Sequence, residues 1–162
     1  MSTKKLAMCG VLAALAIVFG YVEHLIPLPI GIYGIKLGLA NICILVLMYA
    51  IDAKTAVSVN LVRIAVCGML FGNLTAFIYS LAGGISSLAI MLLLKRSNRF
   101  SIVGVSVCGG IAHNIAQIIA AIFLFDELRI AFYLPVLLIC GTLTGALIGS
   151  VSTPIIKSLS KK

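Results

Sequence analysis

The sequence predicts an all-α integral membrane protein, a compact bundle of six transmembrane helices with both termini in the cytoplasm. Three observations carry that expectation. Of 162 residues, 62% are hydrophobic and only 10% charged, and the mean hydropathy of +1.26 lies far above that of a domain whose surface must be wetted. Charge-free runs extend from Ile64 to Leu94, from Phe100 to Phe125 and from Ile130 to Ile156, each longer than the ~20 apolar residues that cross a bilayer as a helix. The third observation is where the charges fall, because the positive-inside rule turns their placement into an orientation.

Breaks in the apolar pattern divide residues 1–162 into six spans that form one transmembrane domain. The first, 6–26, stays apolar beyond its Ala14-Leu15-Ala16 triplet to about Pro27 and is followed by further membrane segments, so it is expected to stay as the first helix rather than to be removed as a signal peptide. The loop "PLPIGIYGIK" leads to span two at 37–51, and "DAK" turns the chain into span three at 55–71. These two are short, since about 15 residues rise only ~22 Å at 1.5 Å per residue. Spans four, five and six follow at 74–94, 102–125 and 131–151, preceded by "GN", "KRSNRFS" and "DELR". No repeat, soluble domain or low-complexity linker interrupts them.

With the N-terminus inside, nine basic residues (Lys4, Lys5, Lys54, Lys95, Arg96, Arg99, Lys157, Lys161 and Lys162) face the cytoplasm and only Lys36 and Arg129 lie outside. That asymmetry accounts for the net charge of +8, so nucleic acid is not an expected partner and membrane lipid is. The bacterial cytoplasmic membrane is the expected location. The five cysteines all lie in apolar segments without a C-x-x-C pair, and they read as small hydrophobes rather than as metal or disulfide chemistry.

Polar groups inside lipid need partners, because hydrocarbon offers none. In "SVCGGIAHNIAQ", Ser106, Gly109, Gly110, His113 and Gln117 follow the three- and four-residue steps of one helix face, with Asn114 beside them. Helix packing and ligand binding both account for such a face. Arg63 is sharper, since a guanidinium near the bilayer centre costs about +2.5 to +3.5 kcal/mol on insertion scales. Glu23 is the one acid placed to pair with it inside the membrane, and Asn60 lies three residues earlier on the same face. Two readings stand side by side: a structural Arg63–Glu23 pair, or an Arg63 that receives an anionic ligand. Lys36 and Asn41, around span two, and Tyr79, which aligns with Gly83 and Ser87 at four-residue steps, complete the candidate ligand-binding set of Lys36, Asn41, Asn60, Arg63, Tyr79, His113, Asn114 and Gln117.

Absences narrow the chemistry. The sequence contains no G-x-x-x-x-G-K-[ST] for ATP, no D-D-x-x-D to hold Mg²⁺ on a diphosphate, and no Ser or Cys nucleophile with a recognisable base. No enzymatic activity, cofactor or metal is therefore expected.

The segments "GIKLGLANI", "LVRIAVCGMLFGNLTAFIYSLAGGISS" and "SVCGGIAHNIAQ" together resemble the Gx transporter family, also labelled heptaprenyl diphosphate synthase component I, over nearly the whole chain. The family is similar to the substrate-binding S components of energy-coupling factor transporters. That resemblance implies a six-helix protein that captures a small molecule from outside (a flavin, a vitamin-like compound, an isoprenoid or a quinone) and pairs with a shared transmembrane subunit and ATPases. The other label implies a membrane subunit associated with isoprenoid synthesis, non-catalytic by itself. Where S components dock through Ala-x-x-x-Ala on the first helix, this chain has Cys9 with Ala13, Gly10 with Ala14 and Ala16 with Gly20.

Overall fold

The computed structural model describes residues 3–25, 38–71 and 74–160, apart from the side chains of Lys4, His24 and Ser160. Six α-helices follow one another as α1 Thr3–Leu25, α2 Leu39–Ala50, α3 Ala53–Phe71, α4 Leu74–Ser97, α5 Ile102–Phe125 and α6 Leu134–Ser160. A short 3-10 helix, Leu128–Tyr133, joins α5 to α6. No strand occurs among the described residues. Among the described residues five helices are long and apolar enough to cross a membrane, as in a multi-pass membrane protein.

The exception is α2. Sequence spacing gives a span at 37–51, but the helix has 12 residues and rises about 18 Å, well short of the ~30 Å hydrocarbon layer. Its role is interior. Ile44, Leu45, Val46, Leu47 and Met48 are all 0–1% exposed, the mark of a helix surrounded on every side. It packs against α1, α3 and α6, and the helices touch in the cyclic order α1, α2, α6, α5, α4, α3 and back to α1. Both ends of α2 are held by charges from other helices. The Leu39 N–H donates to Glu23 Oε1 of α1, while Lys95 Nζ of α4 donates to the Met48 carbonyl and lies 4.9 Å from the Tyr49 ring centroid. An acid at the N-terminus and a base at the C-terminus both complement the helix dipole.

Helix ends follow local chemistry. Ser101 caps α5, its hydroxyl accepting from Gly104 N at 3.1 Å, and α5 stops at Asp126, whose φ of 50° places it in the left-handed region. The last helix departs from its expected bounds of 131–151. Its first residues are taken by the 3-10 turn that Glu127 opens, accepting from Arg129 N at 3.1 Å. Its far end runs through Pro154 to Ser160, because burial of Ile156 and Ser152 against the bundle outweighs the one backbone bond that proline removes. α4 likewise extends past residue 94 to Ser97.

Asp52 caps α3, accepting from Thr55 N at 2.7 Å and from Thr55 Oγ1 at 2.9 Å. The Thr55 backbone N–H is the main reason its carboxyl sits below the usual carboxylate range. A lowered folded pKa means that the cap's contribution is fully present above the unfolded value of about 3.9 and fades as pH falls through the folded value. The protection factor of the Thr55 amide, corrected for the intrinsic exchange rate, should therefore fall below about pH 4 in the native protein. In Asp52→Asn that pH dependence should vanish. An unchanged acid profile in the variant would assign the effect to another group.

The tightest packing is between α5 and α6, which run antiparallel. A Cβ on Gly145 would lie 2.7 Å from Val107 Cα and 2.9 Å from the Ser106 carbonyl oxygen, and one on Gly149 would lie 2.7 Å from Val103 Cα. These are backbone atoms, so glycine is what allows the two helices to touch.

Candidate functional site

Arg63 stands ten residues into α3, at about the level where α2 begins on the antiparallel neighbour. Its Nη2 donates to Asn60 Oδ1 at 2.9 Å, and Asn60 Nδ2 donates in turn to the Gly84 carbonyl of α4 at 3.1 Å. Asn60, 2% exposed, thus fixes the guanidinium against α4 rather than contacting open space itself. Arg63 Nε is buried without a hydrogen-bond partner. Glu23 acts on Arg63 through space and gives one carboxylate oxygen to the N-terminus of α2.

These groups border a cavity of about 70 Å³ lined by Gly20 and Glu23 of α1, Gly38, Arg63 and Cys67 of α3, Ser80 of α4, Gly110, His113 and Asn114 of α5, and Thr144 of α6. On that measure a water needs roughly 10–15 Å³, so the space holds about five waters, or one polar head group or small ring. Small residues create it. Gly38 takes φ 74° just before α2, a conformation that glycine adopts without strain. Gly83 makes room for the imidazole, since a Cβ there would come within 2.6 Å of His113 Cε1.

The structure brings Arg63, His113 and Asn114 of the sequence-derived set into the lining. Asn114 also ties the wall together, its Nδ2 donating to the Leu137 carbonyl of α6 at 2.5 Å. Three others are placed differently. Asn41 lies behind Gly38, its backbone N–H donating to the Gly38 carbonyl at 2.8 Å, Asn60 supports Arg63 from behind, and Tyr79 stays off the lining while its neighbour Ser80 faces in. One residue on a helix is a rotation of about 100°, which separates those two. Gln117 is 5% exposed, and neither its Nε2 nor its Oε1 has a partner. Lys36 lies outside the described residues.

Sequence reasoning did not select Ser80 and Thr144. Hydroxyls in helices commonly bond their own backbone, as Thr144 Oγ1 does to the Cys140 carbonyl at 2.9 Å, and so give no signal of a further role. Glu23 was legible as an acid near Arg63, but not as the group that accepts from α2. Chemically, the cavity sets a guanidinium, an imidazole, an amide and hydroxyls beside the Glu23 carboxylate, a mixed set that suits a polar or hydrogen-bonding group.

No curated protein and no solved structure matches the chain. The model of one family, heptaprenyl diphosphate synthase component I, matches residues 12–155. With that match covering most of its length, the chain belongs to the heptaprenyl diphosphate synthase component I family, the Gx transporter family.

Proposed function

We propose that this protein is the membrane-embedded binding subunit of an uptake system, of the kind exemplified by the S components of energy-coupling factor transporters. It captures the anionic or polar head of a small amphipathic molecule in the cavity around Arg63. The observation that carries this reading is Arg63 itself, a guanidinium in a membrane helix that lines a cavity and keeps one buried N–H donor unused. Such a group is costly to place in lipid and is most economically explained by what it binds. Flavins, vitamin-like compounds, isoprenoid diphosphates and quinones are the ligand classes to compare. The chain is proposed to be non-catalytic, with ATPases and a second membrane subunit supplying the driving force. Lys5, Lys54, Lys95, Arg96 and Lys157 lie at helix ends gathered on one side of the bundle, and the positive-inside rule assigns that side to the cytoplasm of the cell membrane.

The test is direct binding to purified protein across those four classes, followed by uptake in vesicles. Uptake against a gradient is expected only with added partner subunits, and ATP-driven uptake by this chain alone would overturn the reading. Orientation has its own check. In a cysteine-free background, a probe at Leu128 should be labelled from outside and one at Ser97 should not.

The family description favours a second reading, a membrane subunit that serves a prenyl diphosphate synthase, in which Arg63 would face the diphosphate. Co-purification with such a synthase, together with altered product chain length, would select it.

A further inference from the structure

The cavity carries charges of both signs. Glu23 and Arg63 both line it, and they are near enough for the carboxylate to act on the guanidinium through space. They reach it at different levels. Ile17 and Gly20 of α1 meet Cys67 of α3, and further on Tyr21 meets Phe71, so α1 and α3 run in the same direction. On that register Glu23 lies beyond the Gly20–Cys67 contact, toward the ends of both helices, and Arg63 lies one turn before it. Each charge is anchored in the wall. Asn60 accepts from the guanidinium, and the carboxylate accepts from the Leu39 N–H at the start of α2. A group held at the level of Gly20 and Cys67, which also line the cavity, therefore has a fixed negative charge on one side and a fixed positive charge on the other.

We propose that this site selects a dipolar head of zero net charge, with an acceptor pole against Arg63 and an N–H donor pole against Glu23, and that Glu23 is the residue that rejects anions. The inference rests on the ligand-binding reading of the cavity and adds the ligand's class. Among the described residues the lining holds one permanent cation, Arg63, and one acid, Glu23. An anion gains the guanidinium but meets the carboxylate as a like charge, and a cation meets the reverse. Like-charge juxtaposition of this kind costs several kcal/mol and is a means of refusing the wrong partner. A neutral amide-type head avoids both penalties, because its C=O accepts from the guanidinium while its N–H donates to the carboxylate, and both bonds are charge-assisted. Of the four ligand classes, isoprenoid diphosphates concentrate negative charge and quinones offer acceptors alone. A flavin ring or a vitamin-like compound with an amide or imide edge carries both poles.

Benzamide, benzoate and benzamidinium test this, since they share one ring and one planar head and differ in charge. Titrated into the purified protein, benzamide should bind at least ~10-fold more tightly than either ion. That order is read on native protein and needs no variant to fold. Two variants should then move it in opposite directions. Glu23→Gln, which keeps an acceptor for the Leu39 N–H, should bind benzoate most tightly, and Arg63→Gln should bind benzamidinium most tightly. A merely structural pair would lower all three affinities together without exchanging their order. That result, native protein that prefers either ion, or native protein that binds none of the three would overturn the assignment. The underlying reading fails separately. If native protein binds benzoate most tightly and Arg63→Gln abolishes that binding, the cavity is an anion site and only the dipolar assignment is lost. If none of the probes and none of the four ligand classes binds, both are lost.

Discussion

Gly145→Leu will destabilise the bundle more than any other single substitution considered, by about 3 kcal/mol or more. Ordinary overpacking costs about 1–3 kcal/mol because side chains can yield. Here the atoms met at 2.7 and 2.9 Å belong to the backbone of α5, so α5 and α6 must separate along their length. The damage should reach the cavity, since Gly110 and Asn114 on one helix and Thr144 on the other form part of its lining. Gly10→Leu is the control, because nothing lies within 4 Å of a Cβ added there. Reversible unfolding in mixed micelles should show the Gly145 variant strongly weakened and the Gly10 variant close to native. Equal effects would mean that glycine content, not the α5–α6 contact, sets stability.

Arg63→Gln should separate binding from stability. On the proposed function, loss of the guanidinium would remove charge-assisted bonds to the ligand and should weaken the binding of anionic probes about 100-fold, equivalent to ~2.7 kcal/mol. The ligand-free protein should melt at the same temperature or higher, because a cation with a buried, unused Nε is exchanged for a neutral amide. Glu23→Gln should keep an acceptor for the Leu39 N–H in its amide oxygen and so preserve the start of α2. The opposite pattern, with both variants destabilised by about 3 kcal/mol and binding intact, would make Arg63 and Glu23 a structural pair.

Much of this arrangement can be read in the sequence, and what escapes has a physical reason. Long charge-free runs announce α4, α5 and α6, and the three-residue step from Asn60 to Arg63 foreshadows the hydrogen bond between them. His113 and Asn114 stand out because polar groups in an apolar helix are costly. The interior position of α2 does not stand out. In water a buried helix betrays itself by lacking a polar face, but in lipid an outward face is equally apolar, so composition cannot separate a central helix from a peripheral one. The same ambiguity hides Ser80, whose hydroxyl is as much at home on a packing face as in a cavity.

The placement of α2 has a consequence for how the protein is made. Synthesis delivers it four helices ahead of α6, one of its packing partners. Until α6 arrives a helix of about 18 Å has an incomplete surround, and the backbone at its ends depends on Glu23 from the helix before and Lys95 from two helices after. Its assembly is therefore non-local in sequence, and the nascent chain must hold an unfinished core until α6 packs against it.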